Sequence, residues 1–409
     1  MNESVLKGYA KVIVRIGANV QKGQEVVITA NVNDNYFVKY LVEECYEAKA
    51  KRVRVEWTSD DVVKLAYKYE KTEVLGEMLA YQEEKLKHDS EALPATIYID
   101  SSDPDVLAGI DQKKIADVRA MKGPIVMKYR EIMDNKHQWC IAGIPGEAWA
   151  KKVFPDLPVK KAIDKLWDAI LEVTRINGDP IKNWEEHNAF LRNKKKQLND
   201  LHIKKLTYKS SNGTDFTIEL PKEVMFGAGD ESTLSGVVYN PNMPTEECFT
   251  SPNKYSANGV VYATKPLSVF GNVVSDFGFK FKDGKIYEVI SNKPEEKKVL
   301  ESLIAVDEGA SRFGEVAFVP FDSPINKTGL LFYSTLYDEN ACCHLAIGRA
   351  FNECIRDYQS KTPEELKAVD LNTSIMHVDF MIGSSDLSIV AETYDGKTVQ
   401  IFKDGVFAI

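Results

Sequence analysis

The sequence has no dinucleotide-binding GxGxxG fingerprint and no phosphate-cradling GxxxxGK(S/T) loop, so neither common nucleotide-binding chemistry has direct support. Cysteine is sparse: Cys45, Cys140, Cys248, Cys342, Cys343 and Cys354 are too few and too irregular across 409 residues for a disulfide scaffold. No apolar run reaches the length of a membrane-spanning helix, and the start MNESVLKGYAKVIVRIG lacks the ordered regions of a secretion signal. A cytoplasmic protein with no membrane partner is the expectation. Excess positive charge is also missing. The 52 Lys and Arg against 61 Asp and Glu give a formal charge of -9, which argues against nucleic acid as a partner held by bulk attraction. The one basic run, Arg192 to Lys196, reads as a solvated helix face.

What is present is an ordinary globular composition, 44% hydrophobic and 28% charged, in a chain too long for one core. The first half alternates strand and helix patterns. EVVITANV from Glu25 is a short apolar run, Tyr36 to Ala50 has helical spacing, and RVRVEW from Arg52 alternates with a period of two. Further strands are expected at ALPATIYID (92–100), GPIVMKY (123–129) and HQWCIAGIP (137–145). An amphipathic helix is expected over 162–176, stopped by Asn177-Gly178-Asp179-Pro180, and a polar helix from Trp184 to about Asp200. Gly17 and Gly23 read as turn glycines, and Cys342 with Cys343 as reduced packing residues of a helix. From Leu201 shorter strands dominate, joined by Asn212-Gly213, Asp283-Gly284, Asp395-Gly396 and Asp404-Gly405 turns. The expected architecture is an α/β N-terminal domain (1–198) with an open, mostly parallel sheet. A mixed α+β C-terminal domain (199–409), rich in antiparallel strands, follows it.

Four separated segments of the second half carry potential hard-metal ligands. They are PTEECFTSP with Glu246 and Glu247, RFGEVAFVP with Glu315, DENACCHLAIG with Asp338, Glu339 and His344, and HVDFMIG with His377 and Asp379. Carboxylates and imidazoles can hold divalent ions while leaving water free to act as nucleophile. Each segment also has a plainer reading. Thr245 can cap a helix with Glu247 in its first turn; Glu315 needs a partner only if its strand is internal; His344 can be a hydrogen-bonded core histidine. In HVDFMIG the period of two puts His377, Asp379 and Met381 on one face and Val378, Phe380 and Ile382 on the other. Spacing alone does not show that the four segments converge.

The set NMPTEECFTSP (242–252), RFGEVAFV (312–319), DENACCHLAIGRAF (338–351) and HVDFMIGS (377–384) resembles, in content and order, the M29 family of metal-dependent aminopeptidases. The resemblance implies Glu247, Glu315, His344, His377 and Asp379 as ligands of two divalent ions, with Glu315 bridging. It implies removal of N-terminal residues from short unblocked peptides and a homodimer that restricts access to the site. Zinc, cobalt, manganese and magnesium all suit such ligands. Glu246 is a candidate for proton transfer, with capping, solvation or recognition of the peptide amine as its other readings. One departure stands out. Seven residues after His344 the family pattern has a tyrosine associated with catalysis, and this chain has Phe351. Lower activity, replacement by another tyrosine such as Tyr358, or an altered substrate preference are the consequences to weigh. The alternatives to the peptidase are another dinuclear metallohydrolase and a catalytically impaired metal-binding assembly protein.

Overall fold

A computed structural model of the chain describes residues 1–269 and 272–409. They form two compact units, Met1–Glu186 with Asp230–Pro244, and His187–Gly229 with Thr245–Ile409. No helix among the described residues is long and apolar enough to cross a membrane.

The first unit is built on five parallel strands in the order Asn242–Met243, Trp139–Gly143, Ala95–Asp100, Glu25–Asn31, Arg52–Thr58. The inner strand Glu25–Asn31 is covered along most of its length, which is why EVVITAN is apolar without alternation. The edge strand Arg52–Thr58 is half-exposed, and its Arg54 and Glu56 pair with Asp89 and Lys85 of helix Ala80–Ala92, each at 2.6 Å. Helices Glu3–Val12, Asn35–Glu47 and Val159–Val173 meet through an aromatic cluster of Tyr9, Phe37 and Trp167, with ring centroids 5.6 to 6.4 Å apart. Each such pair contributes about 0.5–1.5 kcal/mol beyond burial. The segment 123–129, read above as a strand, lies instead inside helix Gln112–Met133, with Pro124 in its interior. A short apolar run has no period of its own, and the buried Ile115, Val118 and Tyr129 supply the helical one.

Among its described residues the second unit contains a two-stranded sheet, Leu267–Val269 with Asn272–Val274, and two large antiparallel sheets. One has eight strands, in the order Lys285–Ser291, Phe277–Lys282, Asn258–Tyr262, Asp215–Glu219, Ile203–Lys209, Ser388–Thr393, Thr398–Lys403, Val406–Phe407. The other has five, in the order His377–Met381, His344–Gly348, Phe313–Phe318, Cys248–Thr250, Gly227–Ala228. A phenylalanine layer joins them. Phe281 stacks on Phe313 at 4.3 Å, and Phe279 meets Phe380 edge-on at 5.4 Å. One face of the five-stranded sheet is thus committed to the core. Cys342 and Cys343 do not lie on a helix: they follow the short turn Glu339–Ala341 and lead into strand His344–Gly348, buried at every position. A central strand covered on both faces has a uniformly apolar run, and that is what imitated a helix.

Candidate metal centre

The committed face of the five-stranded sheet leaves the opposite face for chemistry, and strand parity decides what appears there. Leu345 and Ile347 pack into the core, so His344, Ala346 and Gly348 point the other way. Across the ladder Ala346 stands opposite Asp379, and Gly348 opposite His377. On the other side Ala346 stands opposite Glu315, and Ala317 opposite His344. A regular strand would put Glu315 on the same face as Phe313, which is in the core. A bulge between the two residues switches the parity, so that Phe313 and Val316 face the core while Glu315 faces Asp379 across Ala346. Gly314 makes the bulge possible: a Cβ there would lie 2.3 Å from the Arg349 carbonyl oxygen.

Glu247 enters from the residue preceding strand Cys248–Thr250, which pairs with Phe313–Phe318. Its Oε2 is 3.4 Å from His344 Nε2, which is 3.9 Å from Asp379 Oδ1. His377 Nε2 is 3.1 Å from Glu315 Oε2 and 3.3 Å from Asp379 Oδ1. Two triads result, Glu247 with Glu315 and His344, and Glu315 with His377 and Asp379; within each, the ligand atoms lie within 4.8 Å of one another. Glu315 belongs to both. His377 Nδ1 is 2.7 Å from the carbonyl oxygen of Arg349. A carbonyl only accepts, so Nδ1 carries the proton it donates and Nε2 is turned to the carboxylates, the tautomer that a metal-binding imidazole needs.

The donor set fits a pair of divalent cations. Glu315 is 4% and His344 1% exposed, so water screens the Glu315 charge little. Burial lowers the His377 pKa, yet the contacts with Asp379 and Glu315 outweigh it and hold the imidazole at about 11. Burial pushes the Asp379 carboxyl up, but the facing His377 and His344 keep it below its usual value. Glu339 packs beside them, and burial together with Glu247, Asp379 and Glu315 drives its carboxyl well above the usual range. His344 Nδ1 is buried with no hydrogen-bond partner among the described residues. Carboxylates this close require positive charge among them, and divalent ions supply more of it than a shared proton.

The remaining sequence candidates sit around this core. Asp338 turns aside: its carboxylate accepts the backbone N–H groups of Phe332 at 2.8 Å and Ser334 at 3.2 Å, and burial pushes its pKa up to about 7. Glu246 is buried, with Oε2 3.8 Å from His187 Nε2. Residues 245–247 are neither helix nor strand, so the capping role weighed for Thr245 has no helix to serve. Phe351 lies against the His377 ring at 4.8 Å and meets Phe249 edge-on at 5.7 Å. Tyr358 packs with Leu366 against a small cluster of Ala350, Ile355, Val369 and Leu371. The sequence reading passed over His187 and Asn340, both buried and both bonded to the Thr245–Glu246 peptide. His187 had a signal, being a polar residue on the stripe of helix Pro180–Asp200 that also buries Asn188 and Leu191.

The comparisons with known proteins agree with this geometry. A family model described as thermophilic metalloprotease (M29) matches residues 2–407. Aminopeptidase AmpS of Bacillus subtilis (strain 168) is 42% identical over 405 residues, covering 98% of each chain. Aminopeptidase 2 of Geobacillus stearothermophilus is 39% identical over 408 residues, covering 99% of this chain and 98% of its own. The structure of wild-type AmpT from Thermus thermophilus matches with a TM-score of 0.91 at 33% identity over 100% of both chains. With nearly the whole length matched and the two triads formed on one sheet face, this chain belongs to the thermophilic metalloprotease (M29) family.

Proposed function

We propose that this chain is a metal-dependent aminopeptidase that removes N-terminal residues from short peptides. The observation that carries the reading is one carboxylate, Glu315, shared by two ligand triads. In this assignment Glu247, Glu315 and His344 would hold one divalent ion, and Glu315, His377 and Asp379 a second. When bound, such ions would supply Lewis-acid polarisation of a carbonyl and a lowered pKa for water. Glu246 takes the water proton and returns it to the leaving amine nitrogen. The ligand set suits zinc, cobalt, manganese or magnesium. Six buried thiols fit a reducing, cytoplasmic setting. We assign a homodimer as the working form, which light scattering checks.

The test strips the protein with a chelator and restores zinc, cobalt, manganese or magnesium singly. Short peptides are offered with free and with acetylated N-termini, and released residues are identified by mass spectrometry. Release of the first amino acid from the free peptides only, in the metal-restored samples only, is the expected result. Silence with every metal across a broad peptide panel would end the proposal.

A second reading, a metal-binding protein with slowed turnover, rests on Phe351 beside His377. The Phe351→Tyr variant adds a hydroxyl on that ring, able to donate a hydrogen bond to a developing oxyanion. A rise in kcat of roughly 10- to 100-fold with little change in KM is expected where turnover lacked that donor. An unchanged kcat would mean that another group already stabilises the transition state.

A further inference from the structure

Residues 245–247 have no sheet or helix ladder to fix them, although Thr245, Glu246 and Glu247 are all buried. Buried backbone groups must find partners, and here side chains from remote parts of the chain provide them. His187 Nε2, on helix Pro180–Asp200, donates to the Thr245 carbonyl oxygen at 2.7 Å. Asn340 Oδ1, in the turn Glu339–Ala341, accepts the Glu246 N–H at 2.7 Å. These two groups are opposite ends of a single peptide unit. The partners come from 58 residues before and 94 residues after it.

The amide of Asn340 has no freedom to turn over. Its Nδ2 donates to the Leu336 carbonyl at 3.1 Å, which leaves Oδ1 to face the Glu246 N–H. His187 is equally defined, since a carbonyl partner requires the proton on Nε2. Rotating the Thr245–Glu246 peptide would break both bonds at once and strand two buried polar groups. Glu246 is part of that peptide unit and Glu247 follows it, so its orientation sets where both side chains point.

We propose that His187 and Asn340 are positioning residues that clamp the Thr245–Glu246 peptide, holding Glu247 in the ligand set and Glu246 in place for turnover. The turnover part rests on the aminopeptidase reading; the metal-binding part does not. His187→Leu and Asn340→Leu each remove one jaw, and His187→Gln keeps an N–H donor.

The experiment measures zinc affinity by competition with a chromogenic chelator, kcat and KM on a short peptide, and the thermal melt. Each Leu variant is expected to bind zinc about 10- to 100-fold more weakly, the usual effect of losing a group that orients a ligand. The kcat falls while KM stays within about threefold, and His187→Gln recovers most of both losses. The double variant is expected to lose less than the product of the single effects, because one peptide is released either way. Wild-type zinc affinity in both Leu variants overturns the clamp. So does multiplication of their effects, or a Gln variant that melts cooperatively yet binds as weakly as Leu. If a Leu variant fails to fold, the Gln variant decides: near-wild-type affinity supports the clamp and weakened affinity with a normal melt sinks it. If the wild type cleaves no peptide, the functional proposal falls while the zinc measurements still judge the clamp.

Discussion

Glu315→Gln is expected to reduce turnover by about 10³-fold or more while leaving the fold intact. The side chain keeps its volume in a fully buried strand, so the bulge and the phenylalanine layer are undisturbed. What changes is charge. The amide cannot bridge two cations as a carboxylate does, and loss of one ion removes several kcal/mol of transition-state stabilisation. His377 also loses the negative charge of the partner that faces its Nε2 at 3.1 Å. Metal analysis should therefore show one ion or none per chain, against two for the wild type. Two tightly bound ions and unimpaired kcat in this variant would remove Glu315 from the bridging role.

The second large effect concerns metal removal. A chelator should lower the thermal midpoint, and by more at high pH than at low. At a free metal concentration 100 times the dissociation constant, one site stabilises by about 2.7 kcal/mol, on the order of 5–10 °C for a unit of this size. The sign of the pH dependence follows from the chelated protein. His377 has a folded pKa of about 11 against 6.5, so its stabilisation is complete below about 6.5 and is lost as pH rises toward 11. Glu339 is raised well above 4.5, so it too favours the folded state at low pH and loses that contribution as pH rises. Asp379 runs the opposite way: its depressed pKa stabilises above about 3.8 and that stabilisation is lost only at lower pH. Ion binding meanwhile strengthens as ligands lose their protons. The gap in midpoint between loaded and chelated protein should widen from pH 6 to pH 9. A gap that is constant or narrows would show that these groups do not share one metal-linked site.

The legible parts of the site were those where local pattern and tertiary role coincide. HVDFMIG alternates cleanly, so its polar face could be read before any fold was known, and strand His377–Met381 presents that face as expected. The parallel first half was readable for the same reason except at 123–129, where an apolar run with no period of its own concealed the interior of helix Gln112–Met133. His344–Gly348 was not, because burial on both faces removes the alternation that marks a strand. The parity switch before Glu315 had no audible signal either: a glycine in a strand pattern can mean a bulge, a close approach or nothing. Nor can spacing indicate His187 and Asn340, whose roles depend on contacts 58 and 94 residues away in sequence. Local chemistry nominated the candidate ligands; only packing shows the hydrogen bonds that His187 and Asn340 make to the peptide beside Glu247.

The bulge at Gly314 has a consequence for how this chain tolerates change. Deleting that one residue would remove the bulge and leave Phe313 and Glu315 adjacent, so plain alternation would still keep the carboxylate on the site face. Deleting Val316 instead would be a frameshift in space: Ala317 would turn to the core and Phe318 to the site face. Catalytic address here is written in strand phase as much as in residue identity, so an insertion or deletion is the more severe lesion than most substitutions.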